Sequence, residues 1–193
     1  MGKTALACAA CAYIADRRMP ICEDGVIYLR AVNITSYADF LTSLVGLLQN
    51  KNSTPPSLVR KMRQCLQERG ETTPNSDGSI ASAEQDEELL MTFFGGPKVL
   101  LILDNIDTML MNHAEILEDG ASAALDLKFF LGRLFERCTT VRVLVLSEAT
   151  LSSRNVSGFG QVENYVPLGP MNLRNTLRLY ARLSASPSLQ VSA

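Results

Sequence analysis

The amino-acid sequence predicts an α/β fold, with a mainly parallel sheet covered by helices on both faces. Short apolar runs at residues 26–32, 99–103 and 141–146 have the length and composition of strands. The run at 99–103 is apolar at every position, as in a strand that is buried on both faces. Segments with helical spacing separate these runs, and this alternation is typical of a parallel sheet with helical crossovers.

The first half of the chain is assigned from helical spacing, β propensity and turn residues. Lys3–Ala15 is rich in alanine and leucine without a breaker, and it predicts a helix. An Asp-Gly turn then precedes the strand at 26–32, which is rich in β-branched and aromatic residues. Apolar residues next recur at helical spacing over 37–48, with Thr35 or Ser36 as the expected N-cap.

The middle of the chain predicts two further helices with a polar stretch between them. A loop at 50–56 precedes an amphipathic helix over about Ser57–Glu68. The least apolar stretch of the sequence follows, and we expect a flexible surface loop over about 70–86. Glu87–Phe94 predicts a helix, which the Gly-Gly-Pro at 95–97 ends.

The last part of the chain continues the alternation of helices and strands. The predicted elements are a helix at about 122–138, the strand at 141–146, a loop at 149–163, a short strand at Tyr165–Leu168 and a helix at about 172–183. We expect residues 1–184 to form one domain and residues 185–193 to form an unstructured tail.

Composition excludes several classes of protein. The 193 residues include 18 Lys plus Arg against 20 Asp plus Glu, and this near balance argues against nucleic-acid binding by bulk charge and against a polybasic membrane anchor. No apolar run approaches the roughly 18 residues that a membrane span needs. Five scattered cysteines do not suggest a disulfide framework, so we expect a reducing, cytoplasmic location.

Two short motifs indicate phosphate chemistry. Gly2-Lys3-Thr4 opens the first helix, where free N–H groups and the helix dipole favour an anion. A lysine there can reach the β- and γ-phosphates of a nucleotide, and the threonine hydroxyl can ligate Mg²⁺. Asp104 ends a buried strand, at the sheet edge where open α/β sheets bind ligands. In this order and context, the two motifs indicate a P-loop nucleoside triphosphatase.

These segments together resemble the nucleotide-binding domain of the signal-transduction ATPases with numerous domains (STAND), the NB-ARC-like group of P-loop NTPases. Gly2-Lys3-Thr4 is similar to the end of the Walker A motif, and LLILDNID is similar to the Walker B segment. VRVLVLSEA resembles the sensor strand, and YVPLGPMNLRNTLRLYARL resembles the closing strand and helix. The resemblance spans about residues 2–184.

The resemblance implies a nucleotide cofactor, ATP or ADP, together with Mg²⁺. The nucleotide-binding positions that it implies are Gly2, Lys3, Thr4, Ala5 and Ser147. Thr4 and Asp104 would hold the metal, and Asp104 and Asp107 would be the catalytic residues. Members of the group hold ADP at rest, exchange it for ATP on activation and then form oligomers. Their helical and sensing domains lie outside this region, so we expect the chain to be part of a larger protein.

The sequence departs from the family pattern first in Walker A, G-x-x-x-x-G-K-[ST]. Only its last glycine is present, at Gly2, and we expect the domain to be incomplete at its N-terminus. The strand that normally precedes the motif lies between the sensor and closing strands. Without it, Tyr165–Leu168 would lack a neighbour and Val141–Leu146 would present an apolar edge.

Two further departures concern hydrolysis. Asn105 follows Asp104, where many ATPases carry an acid that positions water. Asp107 could replace that acid or could cap the next turn, and the sequence leaves both alternatives open. Glu148 follows Ser147, where the family usually has an arginine. A carboxylate there would repel a γ-phosphate unless it turns to solvent.

The functional hypothesis is a nucleotide-dependent switch with weak ATPase activity and without nucleic-acid or membrane partners. The alternative is a degenerate, non-enzymatic interaction module that does not bind nucleotide, because few converging N–H donors remain. Cys8 and Cys11 are expected to be small buried residues of the first helix and not a metal or redox pair.

Overall fold

The computed structural model describes residues 2–17, 19–70, 80–107, 109 and 123–148, together with positions 164, 166–169, 174, 175 and 178. These residues form five α-helices, one short 3-10 helix at Pro20–Cys22 and one parallel sheet of three strands. The helices are α1 (Lys3–Arg17), α2 (Tyr37–Gln49), α3 (Pro56–Glu68), α4 (Ile80–Phe94) and α5 (Ala123–Arg137). The strands are β1 (Gly25–Arg30), β2 (Val99–Asp104) and β3 (Arg142–Leu146). The predicted α/β class with a parallel sheet is therefore confirmed.

Strand β2 lies at the centre of the sheet, between β1 and β3. Its burial explains its composition, because all of its residues except Leu100 are buried. Alternate residues of each strand face opposite sides of the sheet. Leu101 and Leu103 belong to the large core that includes helices α2–α5, whereas Ile102 packs with Ala7 of α1. The sheet is thus covered by α2–α5 on one face and by α1 on the other.

The large core is held by aromatic packing and, at its border, by partly buried polar contacts. Phe40 of α2 and Phe130 of α5 are fully buried and meet edge to face, with 5.7 Å between ring centroids. At the border of this core, the Tyr37 hydroxyl donates to Oε2 of Glu87 at 2.6 Å, and Glu87 also pairs with Arg133. These contacts join α2, α4 and α5 on the face opposite α1.

Helix α1 is covered along one narrow stripe only. It is apolar from Ala5 to Ala15, yet among its described side chains Ala7 alone is buried. Cys11 is partly buried, whereas Cys8, which the sequence predicted to be buried, is exposed. The reason is geometric, because a helix that lies on one sheet face offers only one side to the core.

Element boundaries differ from expectation at β1 and α4. Strand β1 ends at Arg30 and not at residue 32, because the chain turns through Asn33, whose φ is +68°. Ser36 is confirmed as the N-cap of α2, since its hydroxyl accepts the Asp39 N–H at 3.1 Å. Helix α4 begins at Ile80, which corrects both the predicted loop over 70–86 and the predicted helix start at Glu87.

The start of α4 was not predicted because residues 80–88 are largely polar. Ala83 packs against the large core, and Asp86 is buried and accepts a hydrogen bond from the Thr42 hydroxyl at 3.2 Å. Glu84 and Glu88 are exposed on the outer side. An acidic segment with one inward stripe thus forms a helix through tertiary packing. Residues 71–79 of the predicted loop lie outside the described residues.

The predicted closing strand at Tyr165–Leu168 is not found where the structure describes it. Positions 166–168 have no strand conformation, and Val166 and Leu168 are exposed. Pro167 has no N–H to donate to a ladder, and none of the three described strands pairs with this segment. In the predicted helix at 172–183, positions 174, 175 and 178 are helical and exposed. The rest of that helix, the predicted loop at 149–163 and the predicted tail at 185–193 lie outside the described residues. In the described parts of the chain, no helix is long and apolar enough to cross a bilayer.

Candidate functional site

A polar cleft opens at the carboxyl ends of the strands, beside the N-terminus of α1. Its volume is about 170 Å³. The residues that line it are Lys3, Thr4, Arg30, Asp104, Asn105, Asp107, Leu146 and Glu148. Ligands bind at this edge in open α/β sheets, because strand ends and helix N-termini converge there.

Parallel pairing brings distant parts of the sequence to the cleft. Asp104 is opposite Arg30 of β1 and opposite Leu146 of β3 in the sheet register. Helix α1 starts at the same edge, where Gly2 has a φ of +98° and its carbonyl accepts the Leu6 N–H at 2.9 Å. The left-handed backbone at Gly2 is a conformation that glycine adopts without steric cost.

Asp104 is the centre of the site. Asp104 is buried, with 5% of its surface exposed. Its Oδ2 accepts hydrogen bonds from two hydroxyl groups. Thr4 Oγ1 donates at 2.8 Å and the Tyr28 hydroxyl donates at 2.5 Å. A buried carboxylate requires such donors, and hydrogen bonds to a charged acceptor are short and strong. The predicted metal-holding pair, Thr4 and Asp104, is therefore brought together.

Tyr28 is a site residue that sequence reasoning missed. Burial, the hydrogen bond to Asp104 and the charge of that carboxylate raise the pKa of Tyr28 to about 12. The phenol is therefore a neutral donor at physiological pH. Register supplies the signal that could have identified it, because Tyr28 is opposite Ile102, and Asp104 lies two positions further along the same face.

Asp107 connects the turns that follow β2 and β3. Its Oδ1 accepts the backbone N–H of Glu148 at 2.8 Å, and the Asn105 N–H donates to the Leu146 carbonyl at 3.2 Å. Asn105 has a φ of +63°, which an asparagine tolerates better than most residues. The sequence analysis left two roles open for Asp107, which were positioning water and capping the next turn. The structure shows a third role, in which Asp107 accepts a backbone hydrogen bond from the turn after β3.

The remaining predicted positions lie beside the cleft and do not line it. Gly2 and Ala5 belong to the start of α1, and Ser147 lies between two lining residues, Leu146 and Glu148. Arg30 lines the cleft and was not identified by the sequence analysis. It ends β1 at the same edge as Asp104, so the sheet register alone places it there.

The charges of the cleft are nearly balanced. Lys3 and Arg30 supply two positive groups, against the three carboxylates of Asp104, Asp107 and Glu148. A phosphate group alone would meet more negative than positive charge, whereas a phosphate accompanied by a divalent cation would not. The electrostatics therefore suit a cation and an anion that bind together.

The donor set of the cleft fits a hard cation such as Mg²⁺, because none of the lining residues that the structure describes is a cysteine or a histidine. Hydroxyl and carboxylate oxygens are the ligands of a hard cation, and Mg²⁺ is commonly held by one or two carboxylates and by substrate phosphates. Among the residues that the structure describes, no group of three or more His, Cys, Asp or Glu side chains could enclose a metal. Any magnesium site here would thus be completed by the phosphates of a ligand and by water.

The cleft is smaller than a complete nucleotide site. Small-molecule pockets typically measure about 300–1,000 Å³. The volume that the described residues enclose, about 170 Å³, lies below this range.

No protein-family model matches the chain, and neither a curated protein nor a solved structure matches it.

Proposed function

We propose that this chain is the nucleotide-binding domain of a signalling ATPase switch of the P-loop class, resembling the NB-ARC-like STAND group. The observation that supports it best is the hydrogen bond from Thr4 Oγ1 to Asp104 Oδ2, which joins residues 100 positions apart at 2.8 Å. One partner opens a helix and the other ends a central parallel strand. P-loop enzymes hold Mg²⁺ between such a hydroxyl and such a carboxylate.

Each residue of the cleft has a role in this proposal. The N–H groups at the start of α1 and the Lys3 ammonium bind the β- and γ-phosphates of ATP, or the phosphates of ADP. Thr4 and Asp104 hold Mg²⁺, which neutralises phosphate charge when it is bound. Arg30 lines the same cleft and contributes a second positive group to anion binding.

Hydrolysis is proposed to be weak. Asp107 already accepts the Glu148 N–H, so one of its two carboxylate oxygens remains for positioning water. Replacing Asp107 with alanine tests this role. If Asp107→Ala turns over ATP at the rate of the wild type while Asp104→Ala is inactive, Asp107 does not position water.

The proposed context is a larger cytoplasmic protein that holds ADP at rest and forms homo-oligomers with ATP. The location is supported by the five cysteines, all of which are free. In this proposal, the helical and sensing domains of the parent chain supply contacts to the nucleoside.

A second candidate is an interaction module that does not bind nucleotide. It is favoured by the exposed apolar surface of α1, where Leu6 and Tyr13 are each 54% exposed. Val166 and Leu168 add further exposed apolar side chains. The small cleft volume is consistent with this candidate as well.

A nucleotide titration separates the two candidates. A fluorescent ADP analogue with Mg²⁺ is titrated with the wild-type chain, with Lys3→Ala and with Lys98→Ala. Lys98 is a matched control, because it precedes β2 at the opposite edge of the sheet and pairs with Glu23 at 3.0 Å. The switch proposal predicts binding that Lys3→Ala weakens and Lys98→Ala leaves unchanged. Identical curves for Lys3→Ala and the wild type would contradict the switch proposal, and the absence of binding in both would support the interaction module.

A further inference from the structure

The two hydroxyls that donate to Asp104 reach it from different parts of the fold. Thr4 opens α1 and lines the cleft, whereas Tyr28 comes from β1 and is not a lining residue of the cleft. Both donate to Oδ2. The shorter of the two contacts, at 2.5 Å, is therefore made by a residue that does not line the cleft.

We propose that Tyr28 is a positioning residue for the magnesium site, which fixes the carboxylate of Asp104 in the orientation that receives the cation. This inference rests on the proposed function and adds to it a residue that no motif contains. Tyr28 acts only through Asp104, and it contacts neither the metal nor the nucleotide.

Packing of the phenol ring makes Tyr28 a rigid support. The ring packs with the cluster of Ala7, Ile102 and Leu146 under α1, so its hydroxyl has a defined position. Thr4 by contrast is an exposed residue at the first turn of a helix. Tyr28 is partly buried within a strand, and such a donor holds an acceptor more firmly than an exposed donor at a helix end, because helix ends fray.

The carboxylate can serve Tyr28 and a cation together. An ionised carboxylate offers about four lone-pair positions on its two oxygens. Both protein donors use Oδ2, so positions on Oδ1 remain for a metal or for water bound to it. Hydrogen bonds of this kind orient metal-binding carboxylates, and their loss typically costs about 10- to 100-fold in metal affinity.

The test compares Tyr28→Phe with Tyr37→Phe. Tyr37 is a matched control, because its hydroxyl also donates to a carboxylate, that of Glu87 at 2.6 Å, on the opposite face of the sheet. Each full-length chain is titrated with Mg²⁺ at a fixed concentration of fluorescent ADP. We expect Tyr28→Phe to raise the half-saturating Mg²⁺ concentration by about 10-fold. Tyr37→Phe should leave it at the wild-type value.

Action through Asp104 is tested in the Asp104→Asn background. There Tyr28→Phe should produce no further change in the half-saturating Mg²⁺ concentration, because the carboxylate that it positions is gone. A change as large as that in the wild-type background would assign the effect to packing and overturn the proposal.

A measurement on the unaltered chain covers the case in which Tyr28→Phe fails to fold. Mn²⁺ with ADP replaces Mg²⁺, and tyrosine ring signals are followed by nuclear magnetic resonance. A ring whose hydroxyl bonds to the metal-binding carboxylate must broaden at lower Mn²⁺ than the Tyr37 ring does. Equal broadening of the two rings would overturn the proposal.

The outcomes separate this inference from the proposed function. If the wild type binds ADP with a Mg²⁺ requirement and Tyr28→Phe has the same requirement, the positioning role alone is wrong. If the wild type shows no Mg²⁺-dependent binding, the proposed function is wrong and the inference is overturned with it.

Discussion

The contact between Thr4 and Asp104 predicts a measurable coupling between two residues that lie 100 positions apart in the sequence. The perturbation is a double-mutant cycle of Thr4→Val, Asp104→Ala and the combined variant. Valine keeps the shape of threonine and removes its hydroxyl donor. The cycle cancels the cost of the cavity that Asp104→Ala creates, so that the interaction between the two side chains remains.

The magnitude follows from the geometry of the bond. Thr4 Oγ1 donates to a carboxylate at 2.8 Å, and hydrogen bonds to charged groups contribute about 1.5–3 kcal/mol. The value expected here is at or just below the lower limit of this range, because Thr4 is exposed and because Tyr28 still donates to the same oxygen when Thr4 is changed. We therefore expect a coupling free energy of about 1–1.5 kcal/mol.

The assay is urea unfolding of the four proteins without nucleotide or metal. Contacts that do not exist give additive changes within about 0.3–0.5 kcal/mol. A coupling below about 0.5 kcal/mol would therefore refute the reasoning, because the two residues would not meet in the folded chain.

Three further predictions concern the scaffold that holds the site. Phe40→Ala should destabilise the chain by about 3–5 kcal/mol in urea unfolding, because the ring is fully buried, and a cost below about 1 kcal/mol would contradict the packing. Gly25→Ala should lower the free energy of unfolding by about 1–3 kcal/mol in the same assay, since Gly25 has a φ of +129° and a Cβ there would meet Pro55 Cγ at 2.9 Å. A free energy of unfolding within about 0.3 kcal/mol of the wild-type value, on the order of measurement error, would refute this prediction. Burial and the hydrogen bond to Glu87 raise the pKa of Tyr37 in the folded chain. Above about pH 10 this phenol therefore ionises in the unfolded chain before it does in the folded chain, and the free energy of unfolding should fall by up to about 1.4 kcal/mol per pH unit because of this residue. Tyr37→Phe should remove that part of the alkaline loss, and an unchanged slope between pH 10 and pH 11 would show that Tyr37 is not protected.

The parts of the site that the sequence predicted are those with local chemistry. Lys3 and Thr4 were identifiable because a lysine and a hydroxyl at a helix start are a phosphate motif by themselves. Asp104 was identifiable because a single acid after a buried strand must lie at the carboxyl edge of the sheet. Neither inference requires knowledge of which strands are neighbours.

The residues that were missed depend on strand pairing. Tyr28 and Arg30 lie on a strand whose position next to β2 follows only from the sheet order. Once the register is known, Tyr28 falls on the same face as Asp104, and Arg30 falls directly opposite it. A single sequence does not specify that register, because many pairings would bury the same apolar residues.

The errors in the fold have a related cause. Helix α4 was predicted to start at Glu87 because the acidic residues before it resemble a solvated loop, whereas Asp86 is in fact buried beside Thr42. The strand predicted at Tyr165–Leu168 was inferred from β propensity, which contributes little at positions 166–168, because none of the three described strands pairs with them. In both cases tertiary contacts decided the outcome.

The central claim is that the cleft binds a nucleotide together with Mg²⁺, and calorimetric titration of ADP tests it most directly. The wild-type chain and Thr4→Val are each titrated in Mg²⁺ and in excess chelator. The account predicts that the wild type binds ADP with Mg²⁺ at least about 10-fold more tightly than with chelator, and that Thr4→Val loses this difference. Equal heats in Mg²⁺ and chelator, or a Mg²⁺ effect that survives Thr4→Val unchanged, would contradict it.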